Sequence, residues 1–147
     1  MTQRKSSAPS GRARPKAPLI LVVDDYADNR EMYSAYLRFQ GLEVVEAANG
    51  TEALDHAFAR KPDLVVMDLS LPGVDGWQAT RILKADARTK DVPVIAVTGH
   101  ALAGAPERAA EAGCDGFLTK PCLPEDLLRE IQRMLELGRE SDNSKRR

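Results

Sequence analysis

Asp24, Asp25, Asp68, Thr98 and Lys120 share one local setting: each stands at, or just past, the end of an apolar run. Leu19–Val23 ends on Asp24-Asp25, Leu64–Met67 on Asp68, Val92–Val97 on Thr98, and Phe117–Thr119 on Lys120. Runs this short and this continuously apolar read as strands. A strand apolar on every residue belongs in the middle of a parallel sheet, covered on both faces. A carboxylate at the end of such a strand is costly as architecture. It also stands at the edge where open α/β sheets bind ligands.

If the strands are parallel, their ends meet along one edge, and three carboxylates, a hydroxyl and an ammonium share a crevice. Carboxylates brought together repel unless a cation holds them. With oxygen ligands on offer and no His or Cys cluster, the expected cation is Mg²⁺, which keeps waters and welcomes a phosphate oxygen. Lys120 adds a fixed positive charge and Thr98 a donor. Such a site suits a phosphoryl group. A metal-bound carboxylate can attack phosphorus and form an aspartyl phosphate, with charge on the transferring oxygens stabilised by the metal, Lys120 and Thr98. Asp68 is assigned as nucleophile because it lies between the acidic pair and the Thr98 strand. Gly99 leaves room for a bulky donor.

The elements that must position these groups follow in order. After the first strand, Asp28 can cap a helix through about Gln40, with Met32, Ala35, Tyr36 and Phe39 on one face and Tyr33 and Leu37 competing for burial; Gly41 stops it. Leu42–Ala47 is interrupted by Glu43 and Glu46, as suits an edge strand. Asn49-Gly50 opens a helix to about Arg60, with Ala53, Leu54, Ala57 and Phe58 inward. After the strand ending on Asp68 and a loop, a helix runs from about Gly76 to Ala85, burying Ile82 and Leu83. The strand ending on Thr98 is followed by a short helix over 105–112 and the brief strand at Phe117. A last helix over about 124–137 presents Leu127, Leu128, Ile131 and Leu135.

Strand and helix thus alternate five times, which calls for a parallel sheet with helices on both faces. The three continuous runs take the centre and the other two the edges. The fold class expected is α/β, a flavodoxin-like doubly wound (βα)5 with strand order 2-1-3-4-5.

A chain of 147 residues, 43% hydrophobic and 29% charged, fits one soluble domain. No run approaches the ~18 apolar residues of a membrane span, and the N-terminus lacks the apolar segment of a secretory signal. Cys114 and Cys122 form neither a disulfide framework nor a metal spacing, so a reducing cytoplasm is the expected compartment. Residues 1–17 carry five basic side chains and no acid, whereas 18–137 carry 12 basic and 20 acidic ones. Residues 1–17 read as a disordered basic tail, 18–137 as the folded domain, and 138–147 as a flexible charged tail.

Asp24-Asp25, the stretch from Asp68 through Pro72-Gly73 to Asp75-Gly76, Thr98-Gly99 and Lys120-Pro121 together resemble the signature of the response-regulator receiver domain. The resemblance spans residues 18–137 and includes Ala112-Gly113-Cys114-Asp115-Gly116-Phe117. It implies Mg²⁺ on Asp25, Asp68 and the carbonyl of Ser70, with Asp24 assisting. It implies phosphoryl transfer to Asp68 from a phosphohistidine on a sensor histidine kinase or phosphotransfer protein. Thr98 and Phe117 would then act as the switch pair, remodelling the face of the fourth helix, fifth strand and fifth helix for a downstream protein target. A cis Lys120–Pro121 bond is also implied. The receiver would catalyse only its own phosphorylation and dephosphorylation.

Departures from the pattern are the phenyl ring at 117, which has no hydroxyl, and Leu123 where an Asp cap is common, a difference of about 1 kcal/mol. Beside the phosphoryl site, His100 is expected to influence the lifetime of the phosphorylated state. Past residue 138 there is no length for a DNA-binding domain, so a stand-alone receiver is expected unless the chain is a fragment of a larger protein. Mg²⁺-dependent phosphohydrolases of the haloacid-dehalogenase type share the chemistry but expect an Asp-x-Asp pair; Ser70 stands at the second place. A receiver used only as a scaffold is the remaining alternative. A nucleotide-binding flavodoxin-like protein is disfavoured, since no Gly-rich loop follows the first strand.

Overall fold

The structure, a computed structural model, describes residues 17–69, 75–99 and 105–145. Five strands and five helices alternate: β1 (Leu19–Val23), α1 (Ala27–Phe39), β2 (Glu43–Ala47), α2 (Gly50–Arg60), β3 (Leu64–Asp68), α3 (Gly76–Ala85), β4 (Val94–Thr98), α4 (Ala105–Ala112), β5 (Gly116–Thr119) and α5 (Pro124–Lys145). All strand pairs are parallel, in the order β2-β1-β3-β4-β5. This is the flavodoxin-like order expected from the apolar runs. Every residue of β3 and β4 is buried, as central strands require, whereas β2 is buried only at Ala47.

The sheet separates two apolar layers. One joins Leu21, Val65, Met67 and Ala96 to Ala53 and Ala57 of α2 and Ala79 and Leu83 of α3. The other joins Ile20, Val22, Val66 and Ile95 to Tyr33 and Leu37 of α1 and Leu127, Ile131 and Met134 of α5. Alternate residues of each strand therefore serve opposite layers, the period of two that a pleated strand imposes.

The helix ends follow local chemistry. Asn49 caps α2 by accepting from Glu52 N at 2.9 Å, and Asp75 caps α3 by accepting from Gln78 N at 2.8 Å. Helix α1 closes with Gly41 at φ +92°, Leu42 N bonding Leu37 O at 3.1 Å and Gly41 N bonding Arg38 O at 3.0 Å. Those two bonds are the Schellman pattern, and glycine takes the left-handed turn at little cost.

Four local expectations are corrected. Asp28 does not cap α1; the cap position is Tyr26, without a side-chain cap, and Asp28 lies in the first turn, where its charge favours the helix N-terminus. On α1 the competition is won by Tyr33 and Leu37, one turn apart, while Phe39 is 87% exposed. Ile82 is exposed, and of the expected pair α3 buries Leu83, together with Ala79 and Thr80, which lie four and three residues before Leu83 and share its face. Helix α5 continues to Lys145 rather than giving way at 138 to a flexible tail. Gly138 costs a helix only about 1 kcal/mol, and no proline follows to end it. Residues 1–16, which hold nearly all of the expected basic tail, lie outside the described residues.

No helix among the described residues is long and apolar enough to cross a membrane.

Candidate functional site

Strand register delivers the acidic residues to one edge. Val23 of β1 stands opposite Met67 of β3, so Asp24 and Asp25 emerge next to Asp68. Asp68 in turn stands opposite Val97, one residue before Thr98. Thr98 pairs with Thr119 of β5, and Lys120 N donates to Thr98 O at 2.8 Å. The expected grouping of Asp24, Asp25, Asp68, Thr98 and Lys120 at the carboxyl edge is therefore present. Ser70 and His100 lie outside the described residues.

Each of Asp24, Asp25 and Asp68 offers an oxygen, and these atoms lie within 4.8 Å of one another. Asp24 and Asp68 are buried, at 4% and 5% exposure, while Asp25 faces solvent. Lys120 Nζ lies 2.8 Å from Asp24 Oδ2 and 3.5 Å from Asp68 Oδ2. Burial alone would push its ammonium down, but the hydrogen bond to Asp24 and the charges of Asp68 and Asp24 outweigh that and hold its pKa above the ordinary value. Lys120 is thus charged at neutral pH. One ammonium among three clustered carboxylates still leaves a strongly negative pocket, and all-oxygen donors with an open side suit a hard divalent cation.

Several groups hold these side chains in place. Asp24 Oδ1 accepts from Tyr26 N at 2.9 Å, an Asx turn that starts α1. Arg30 donates to Asp24 O at 2.9 Å. Tyr33 Oη donates to Cys122 O at 2.8 Å, tying α1 to the segment that follows Lys120. The Lys120–Pro121 peptide is cis, as the resemblance implied. Among the described residues, a Cβ added at Gly99 would come nearest to Lys120 Cβ, at 3.9 Å.

Two contributors had no role of their own assigned from the sequence. A Cβ on Gly76 would lie 2.2 Å from Asp68 O and 2.6 Å from Leu69 Cα. Only glycine lets the first turn of α3 press against the Asp68 backbone. Arg30 is the other, an ordinary helical arginine until its contact with Asp24 is seen. Trp77, next to Gly76, packs against the core with Arg108 of α4 over its ring at 4.9 Å. Phe117 is half-buried on the same apolar layer. Burial pushes the thiols of Cys114 and Cys122 up, the behaviour of packing residues rather than reactive ones.

The fold by itself is shared by proteins of many functions. The acidic edge narrows the class to flavodoxin-like domains whose chemistry runs on carboxylates and a lysine. Comparison with known proteins resolves it further. Residues 20–132 match the response regulator receiver domain, and the chain belongs to that family. Among curated relatives, the polar-differentiation response regulator DivK of Brucella anthropi is 38% identical over 102 residues, 69% of this chain and 83% of DivK. A CheY-like receiver domain protein from Methanospirillum hungatei superposes with a TM-score of 0.79 at 30% identity, covering 85% of this chain and 98% of that one. The receiver domain of the sensor histidine kinase PA1611 from Pseudomonas aeruginosa has a TM-score of 0.76 at 36% identity, over 82% and 98% of the two chains. That structure is described with a magnesium ion coordinated in its active-site cleft. The protein is accordingly a receiver of two-component signalling.

Proposed function

We propose that Asp68 is the phosphoacceptor and that its donor is a phosphohistidine on a sensor histidine kinase or histidine phosphotransfer protein. The observation that carries this is the meeting of Asp68 with Asp24, Asp25 and Lys120 at one strand edge. A carboxylate oxygen of Asp68 forms a bond to phosphorus while the P–N bond breaks, and the imidazole leaves with the electron pair. Asp24, Asp25, Asp68 and the carbonyl of Ser70 would hold Mg²⁺, which when bound neutralises charge on the phosphoryl oxygens.

The protein's own groups do the rest. Lys120, already 3.5 Å from Asp68 Oδ2, is placed to transfer its ion pair to a phosphoryl oxygen on that carboxylate. Thr98, buried at the end of β4, supplies a hydroxyl donor. Its pairing with β5 gives a route from the phosphoryl group to Phe117. Rearrangement of Thr98 and Phe117 would then alter the α4–β5–α5 face, where a downstream protein reads the state. We place this in a reducing cytoplasm, consistent with the free thiols of Cys114 and Cys122.

The test is phosphorylation by acetyl phosphate, read by intact mass. A single added phosphate that needs Mg²⁺ and is lost in Asp68→Asn supports the reading. An adduct that persists in Asp68→Asn, or none in wild type with Mg²⁺, overturns it and favours the scaffold alternative. Catalytic turnover of an external phosphoester would favour the phosphohydrolase.

A further inference from the structure

Arg30 sits in the first half of α1 with its side chain only 17% exposed. Its fork is used in two directions. Nη1 donates to the main-chain carbonyl of Asp24 at 2.9 Å, and Nε donates to Glu46 Oε1 at 3.1 Å. Glu46 belongs to edge strand β2, and its second oxygen accepts from Arg38 at 3.4 Å. The neighbouring residue of β2, Ala47, accepts Asp24 N through its carbonyl at 3.1 Å.

The carbonyl of Asp24 and the N–H of Asp25 belong to one rigid plane. Whatever sets the direction of that carbonyl sets the origin of both side chains. We infer that Arg30, pinned by Glu46, is a positioning residue for the cation site: it fixes the Asp24–Asp25 peptide so that their carboxylates converge with Asp68. This rests on the reading of that edge as a Mg²⁺ site.

Charge and orientation by Arg30 act on Mg²⁺ binding with opposite signs. A guanidinium near clustered carboxylates repels an arriving divalent cation, so an Arg30 acting only through its charge would, when removed, tighten Mg²⁺ binding. An Arg30 that orients the peptide would, when removed, weaken it. Lysine keeps the charge but is a point donor without the planar fork that reaches a carbonyl and a carboxylate together.

The experiment is a Mg²⁺ titration of the full chain followed by amide chemical shifts, with thermal melts in EDTA alongside. Arg30→Lys and Arg30→Met are each expected to raise the Mg²⁺ Kd about tenfold, the lower end of what residues orienting metal ligands contribute. Glu46→Gln, which retains an acceptor oxygen, should lose less. A role confined to stability would lower the melting temperature and leave the Kd unchanged, which overturns the inference. So does an Arg30→Met that binds Mg²⁺ as tightly as wild type, or more tightly. If Arg30→Met does not fold, Arg30→Lys decides by the same criterion. Failure of wild type to bind Mg²⁺, or an Asp25→Asn control that binds equally well, removes the site reading itself and this inference with it.

Discussion

Replacing Asp25 by asparagine should make the metal-free protein more stable while removing its response to Mg²⁺. Asp25 shares with Asp24 and Asp68 a set of oxygens within 4.8 Å, whereas Lys120 pairs with the other two. At 4.8 Å a pair of like charges costs about 3.5 kcal/mol at an effective dielectric of 20 and about 0.9 kcal/mol in bulk water. Asp25 is exposed, which places each of its two repulsions toward the lower figure, and attraction to the nearby Lys120 offsets roughly one of them. The amide is neutral and nearly isosteric, so a net gain of about 1–2 kcal/mol is expected. For a domain of this size that is roughly 3–8 °C in melting temperature. In wild type, Mg²⁺ at ten times its Kd adds about 1.4 kcal/mol by mass action, and the variant should gain far less. Thermal melts followed by circular dichroism, in EDTA and in Mg²⁺, read both effects. An Asp25→Asn that melts below wild type in EDTA, or Mg²⁺ that stabilises both proteins equally, would refute the repulsion described.

Other consequences are as direct. Gly76→Ala puts a methyl group within 2.2 Å of Asp68 O. It should cost about 1–3 kcal/mol by overpacking, read by urea unfolding, with slower phosphorylation of Asp68 as the α3 turn shifts. Ser34 Oγ is buried without a hydrogen-bond partner among the described residues. Ser34→Ala should therefore stabilise by about 1 kcal/mol, and a lower urea midpoint would contradict this. Tyr33 is raised above its ordinary value, chiefly by burial, and Lys120 is raised because its carboxylate partners outweigh burial. For both, the folded pKa exceeds the unfolded one, so their contribution is complete below about pH 10 and is lost as pH rises through the folded values. Melting temperature should fall steeply above pH 10, and Tyr33→Phe should make that alkaline limb shallower.

The alternation of elements, the strand order and the membership of the acidic edge were legible because they depend on local pattern. Apolar runs of four to six residues ending on Asp24, Asp68 and Thr98 can hardly be anything but buried strands meeting a polar edge. The helix opening at Asn49 and the stop at Gly41 are likewise decided within a few residues. Where two neighbouring side chains had equal claims, local pattern failed. Phe39 and Ile82 are as apolar as Leu37 and Leu83, yet they are exposed, since the direction of each helix against the sheet selects the face.

The chemical types at the site were thus determined by the sequence itself: three carboxylates, a hydroxyl and a lysine, each at a strand end. Their separations were decided only by the tertiary structure. Lys120 reaches Asp24 across 96 positions of chain, and Arg30 reaches Glu46 across 16. Gly76 matters only because α3 packs on the Asp68 backbone. A strand's end is a local property of its residues. The distance between two strand ends is set by register, crossover and packing, which no short stretch contains.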